Sequence, residues 1–219
     1  MVSTTPKTSI LATQIVGEQR VVFHHLNWQS YMQILQALPQ KRVARLTYDQ
    51  GTLEITMPLE EREFFGRFIA LFIRILVEET GQKLKTMGST TLNYPNLDKG
   101  TEPDEAFYIQ NHASVAGRKV DLTQDPPPDL VVEVDITHTD IDKNRLYASM
   151  GVSEFWRFNG QLLRIYQLQE GQYVEVESSP TFPILHKSRL YEFLEQGWSD
   201  EVEACKALRV WVQQEVQNK

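Results

Sequence analysis

Asp129, Glu133 and Asp135 stand at alternate positions of the run Asp129-Leu130-Val131-Val132-Glu133-Val134-Asp135-Ile136. Side chains alternate along a strand, so these acids share one face with Val131, while Leu130, Val132, Val134 and Ile136 share the other. Carboxylates at i and i+2 lie about 7 Å apart there. That is close enough to share a divalent ion, or to contribute to one with a neighbouring strand. A solvent-facing acidic face is the bland alternative. Against it, Asp and Glu are depleted in strands, and acids at three of four alternate positions need a counter-charge. Asp104, after Pro103, opens the preceding strand-like run 102–109. If the two strands are neighbours, Asp104 faces Glu133, and the pair is the expected metal site. Hard oxygen donors select Mg2+, with Mn2+ as the alternative ion.

A cation of the chain's own follows. Thr139 and Asp142 resemble a capping box at the start of a helix over 140–150, and Lys143, Leu146, Tyr147 and Met150 then fall on one face. A lysine in a first helical turn opposes the macrodipole. Pairing with Glu133 or Asp135 removes that objection; a lysine snorkelling to water is the alternative. His138, five residues past Glu133, is the one histidine near the acids, as ligand or proton carrier, or as a capping or surface residue. The five histidines show no paired helical zinc spacing, and Cys205, the only cysteine, excludes a thiolate cluster or an internal disulfide.

The elements that must position these residues are legible in outline. Three prolines, Pro126 to Pro128, hold the approach to the acidic strand extended. Upstream, the pattern predicts a helix over 28–38, a hairpin of 42–48 and 52–57 around Asp49-Gln50-Gly51, and a long helix over 60–80 closed by Gly81. Strands follow over 83–87, 102–109 and 129–136. After the helix 140–150, Asn159-Gly160 joins strands 154–158 and 162–168, and a third strand covers 173–177. Helices over 188–195 and 200–216 close the chain, the last with Cys205, Leu208, Val212 and Val216 in one stripe. The long helix is apolar nearly all round and must be buried on more than one side. We therefore expect a homodimer covering leftover apolar surface. Phe155, Trp156 and Phe158 read as core or dimer contacts rather than base-stacking platforms, because Arg157 alone interleaves with them.

At 219 residues, 41% hydrophobic and 23% charged, the chain has the make-up of one folded α/β domain. It divides into a polar segment 1–20, a main domain 21–196 and a helical extension 197–219. The apolar run 64–77 carries Arg67 and Arg74 and is too short to span a bilayer, and the first residues lack a signal peptide's apolar centre. A cytoplasmic setting is expected, with no membrane partner. A net charge of −7 opposes a broad grip on nucleic acid. That charge is concentrated, however: 11 of the 29 carboxylates fall between Asp98 and Asp142, where an even spread would place about 6.

Pro103-Asp104, Pro128-Asp129-Leu130-Val131-Val132-Glu133-Val134, Asp142-Lys143, Tyr147 and Gly151-Val152-Ser153-Glu154-Phe155-Trp156 together resemble the Uma2-like endonuclease family, formerly a domain of unknown function common in cyanobacteria. The resemblance runs from about Trp28 to about Leu194. It implies the PD-(D/E)XK nuclease superfamily, and hence a restriction-endonuclease-like mixed sheet flanked by helices, here with an added antiparallel β-meander and C-terminal helices. It implies DNA as the transient substrate, with Asp104 and Glu133 as the metal-binding acids and Lys143 as the family's helix lysine. One departure stands out: the superfamily's lysine two residues after the second acid is replaced by Asp135. Glu61 or Glu63 could add a ligand, as related nucleases do. Expected catalytic residues are Asp104, Glu133, Asp135 and Lys143. Two rival readings are a weakened nuclease-fold binding or assembly protein and a metal-dependent hydrolase of small phosphoesters.

Overall fold

The structure is a computed structural model and describes residues 19–39, 41–136 and 139–218. In chain order the elements are β1 (Gln19–Phe23), α1 (Trp28–Ala37), β2 (Arg45–Asp49), β3 (Thr52–Met57), α2 (Glu60–Glu79), β4 (Lys85–Thr86), β5 (Leu92–Tyr94), β6 (Lys99–Thr101), β7 (Glu105–Tyr108), α3 (His112–Val115), β8 (Leu130–Val134), α4 (Lys143–Ser149), β9 (Glu154–Phe158), β10 (Leu163–Gln169), β11 (Gln172–Val176), α5 (Lys187–Ser199) and α6 (Glu201–Gln217). A 3-10 turn, Pro95–Leu97, precedes β6.

The strands form two sheets. The central one has six strands in the order β11-β10-β9-β8-β7-β4, all antiparallel except β8 and β9, which run parallel across the α4 crossover. The expected β-meander is the β9-β10-β11 side of this sheet and not a separate layer. The second sheet, order β1-β3-β2-β6-β5, is antiparallel throughout. Three of its strands, β1, β5 and β6, are not anticipated by the hydrophobic pattern. Its β2–β3 turn holds Gln50 and Gly51 at φ of 45° and 101°, the doubly left-handed form that matches strand twist.

The parity of β8 sets the layers. Leu130, Val132 and Val134 pack against Phe68, Phe72 and Leu76 of α2, beneath α5 and α6. Val131 faces the other way, into a cluster with Leu146, Tyr147 and Phe155. Most of the apolar surface of α2 is thus covered within the chain, by the central sheet on one side and by α5 and α6 on the other, while Leu71 stays 42% exposed. The α6 stripe docks on that same core through Leu208 and Val212. Phe155, Trp156 and Phe158 are all buried. The second sheet lays Leu46, Tyr48 and Leu53 under Tyr31 of α1. Its opposite face is polar and looks toward α4: the Thr101 hydroxyl lies 3.3 Å from that of Tyr147, and buried Glu54 accepts from the Thr139 hydroxyl and the Asp140 amide.

Candidate functional site

Asp104 and Glu133 meet because of strand register. β7 and β8 pair with Glu105 opposite Val132 and Ala106 opposite Val131, so one step further places Asp104 across from Glu133. Directly opposed residues share a face. On its other side β8 pairs with β9, with Glu133 beside Arg157. Glu133 is wholly buried, and Asp104, Asp135, Lys143 and Arg62 are each at most 8% exposed. The solvent-facing alternative for the acidic strand face is therefore excluded.

One guanidinium joins the two acids. Arg62, in the first turn of α2, places Nε 3.0 and 3.1 Å from the two Asp104 oxygens and Nη2 3.3 Å from Glu133 Oε2. Lys143 Nζ donates to Glu133 Oε2 at 2.6 Å and to Asp135 Oδ1 at 2.8 Å. Arg157 Nε donates to Asp135 Oδ2 at 2.9 Å. Neutral donors complete the set: Tyr147 Oη at 2.5 Å from Glu133 Oε1, and the Val134 amide at 2.8 Å from Asp104 Oδ2. Three carboxylates thus face three cations in a low-dielectric interior. Burial, reinforced by Asp104 and Asp135, outweighs Lys143 and pushes the pKa of Glu133 up to about 7. Burial works against the Lys143 ammonium, but Asp135 and Glu133 more than compensate and hold its pKa above the ordinary lysine value. Burial also drives the Tyr147 hydroxyl well above its usual range, so it stays a donor.

The site opens on two sides of the α2 N-terminus. A cavity of about 640 Å3 bounded by Glu61, Asp135, Arg157, Asn159 and Arg164 reaches Asp135. A smaller one of about 230 Å3, bounded by Arg45, Arg62, Glu63, Arg67 and Glu105, reaches Asp104. Four arginines other than Arg62 therefore stand at the openings, on a chain whose net charge is negative.

Residues 28–203 match the Uma2 family model, described as "Putative restriction endonuclease". The chain belongs to the Uma2 family. No curated protein matches it. The two-sheet α+β architecture is consistent with the restriction-endonuclease-like fold, and at the level of the family the chain is a nuclease homologue. No helix among the described residues is long and apolar enough to cross a membrane.

Within this Uma2 domain Asp104, Glu133, Asp135 and Lys143 come together. Asp129 does not join them: its carboxylate accepts from the Ile109 and Asn111 amides and the Asn111 side chain, and so fastens the end of β7. Neither helix acid enters the site. Glu63 is drawn off by Arg45 at 3.1 Å, and Glu61 lines the larger opening. The helix cap is Asp142 alone, accepting from the Arg145 amide at 3.1 Å; Thr139 is committed to Glu54 instead. His138 lies outside the described residues. Sequence reasoning missed Arg62 and Arg157 as site residues, and it named Tyr147 in a buried stripe and among the residues of the family resemblance without giving it a role at the acids. Arg62 carried a usable signal: a lone cation among Glu60, Glu61 and Glu63 in a first turn, the same anomaly that marked Lys143.

Proposed function

We propose that this Uma2 protein is a Mg2+-dependent endonuclease that hydrolyses DNA phosphodiester bonds. The observation that carries the reading is the convergence of buried Asp104 and Glu133, from adjacent strands, on a single cationic centre. The donor set fits a hard divalent ion: two carboxylates whose facing oxygens already share one positive charge. Among the described residues no third His, Cys, Asp or Glu completes a cluster, and Mg2+ ordinarily keeps water and substrate oxygens in its remaining positions. Asp104 and Glu133 would hold the ion, which supplies a lowered pKa for the attacking water and charge neutralisation at the phosphate.

The chain's own residues do the rest. The Val134 amide and the Tyr147 hydroxyl fix the rotation of the two carboxylates, leaving one edge of each turned to the other. Lys143, kept protonated by Glu133 and Asp135, acts as a compact positive charge that orients water or a phosphate oxygen; its raised pKa argues against a role as general base. Arg157 and Arg164 line the wider opening, where a DNA backbone would enter. The test is cleavage of a supercoiled plasmid with Mg2+ or Mn2+ by the wild type beside Glu133→Gln and Asp104→Asn. Nicking that both substitutions abolish supports the reading. No metal-dependent nicking, or nicking that survives both, overturns it.

A second reading has its own support. Asp135 at the superfamily's lysine position and Arg62 across the two acids favour a nuclease-fold binding or assembly protein with little turnover, in which case DNA binding without cleavage is the expected result. In either role we propose a homodimer. Its basis moves from α2, most of which the chain covers itself, to edge strand β1, where Val21, Phe23 and nearby Met57 are exposed at 54%, 43% and 45%. A monomer by light scattering at micromolar concentration would remove the dimer.

A further inference from the structure

We infer that Arg62 is a resident cation that occupies the ion position of the Asp104–Glu133 site and must withdraw before a divalent ion binds, so that ion binding and the inward position of Arg62 are mutually exclusive. The inference rests on the metal-nuclease reading and deepens it.

Its first ground is steric. Arg62 contacts both Asp104 oxygens, at 3.0 and 3.1 Å, and Glu133 Oε2 at 3.3 Å, an oxygen it shares with Lys143 Nζ at 2.6 Å. Glu133 Oε1 is engaged by Tyr147. The facing oxygens cannot close around an ion at bonding distance while a guanidinium lies between them. The second ground is charge. With Asp104, Glu133 and Asp135 all ionised, the charges of Arg62, Lys143 and Arg157 balance theirs. Adding a divalent ion would leave a net charge of two in a desolvated site, which is strongly unfavourable. Exchanging Arg62 for the ion leaves a net charge of one, and a phosphodiester carries the single negative charge that returns the cluster to neutrality. Ion, substrate and the departure of Arg62 are thereby coupled.

The third ground is that Arg62 has somewhere to go. It borders the smaller cavity, whose walls include the carboxylates of Glu63 and Glu105. Swinging there moves the guanidinium away from Glu133 and beside Glu63, a carboxylate it would share with Arg45. Its place in the first turn of α2, where the helix dipole disfavours a cation, works against the inward position.

The test is calorimetric titration of Mn2+ and Mg2+ into DNA-free wild type, Arg62→Met and Arg62→Gln, with thermal unfolding followed in parallel. Arg62→Met leaves Asp104 and Glu133 without their shared cation. It should unfold at lower temperature than wild type in metal-free buffer, recover with added ion, and bind Mn2+ at least about tenfold more tightly than wild type, because the charge-assisted hydrogen bonds of Arg62 no longer need breaking first. Adding Glu133→Gln should abolish the recovery. If Arg62→Met does not fold without metal, refolding it with and without Mn2+ gives the same readout, and Arg62→Gln supplies the affinity. Wild type that binds ions and nicks plasmid while both Arg62 variants bind no more tightly would overturn this inference alone. No ion binding by any of the three proteins would overturn the metal reading with it.

Discussion

Replacing Lys143 by methionine keeps the stem of the side chain and removes its charge, in a position only 3% exposed. Two hydrogen bonds to ionised partners disappear, at 2.6 Å to Glu133 and 2.8 Å to Asp135. Bonds of that kind contribute about 1.5–3 kcal/mol each, and removing one partner of a buried ion pair costs about 3–5 kcal/mol. Here the orphaned carboxylates retain Arg62 and Arg157, so the loss should sit at the low end, about 3 kcal/mol. For a chain of this size that is a fall in Tm of roughly 6–12 °C. The assay is urea and thermal unfolding of Lys143→Met, Asp135→Asn and the double variant. The double variant should be more stable than the sum of the singles by about 1–3 kcal/mol, since Asp135→Asn removes one of the charges left behind. A single-variant loss under about 1 kcal/mol, or additive singles, would refute the reasoning and make Lys143 a lysine that water solvates. Any cleavage measured on a Lys143 variant has to be referred to its folded fraction at the assay temperature.

Two further outcomes follow from packing and from burial. A Cβ added at Gly197 of α5 would lie 1.8 Å from the Phe68 ring, so Gly197→Ala should destabilise the chain by about 1–3 kcal/mol; unchanged urea unfolding would contradict the α2–α5 packing. Burial raises Glu105 from the ordinary 4.5 to about 7, against an opposing pull from Arg67. Between those values the folded state binds more protons than the unfolded one, so this stability is fully present below the lower value and is lost as pH rises through the upper. Glu105→Gln should therefore melt higher than wild type at pH 8 with no such gain at pH 4, and an equal offset at both would refute the assignment.

Much of the fold was legible because long elements carry strong periodicity. The long helix, expected over 60–80, is Glu60–Glu79, and the strand expected over 129–136 is Leu130–Val134. Two of the three strands that escaped detection were short; the third, β1, is five residues long. β5 and β6 are three residues each, and Lys99-Gly100-Thr101 has no apolar residue to alternate; it is held by β2 and β5 on its two sides, a tertiary cause that no local pattern reveals. The α2 surface was read correctly as buried on several sides, but composition alone could not say whether a second subunit or the chain's own α5 and α6 would cover it.

The site divides along the same line. Parity along β8 placed Glu133 and Asp135 on one face, and neighbouring strands put Asp104 opposite Glu133. Those inferences needed only strand geometry. The identity of the counter-charge needed the third dimension. Three acids on a buried face demanded cations; Lys143 was identified from its anomalous place in a first turn, and the rest of the demand was assigned to a metal. In the structure two arginines meet it, one from α2 and one from β9. The replacement of the expected strand lysine by Asp135 then acquires a physical sense. A lysine two residues after Glu133 would project from the same strand face, into the space beside Glu133 that Lys143 Nζ reaches from the next helix. Two ammonium groups there would repel. A carboxylate instead gives the helix lysine a second partner, at 2.8 Å, and ties Arg157 to the same cluster at 2.9 Å. The strand acid and the helix lysine therefore depend on each other, and neither is interpretable as a substitution taken alone.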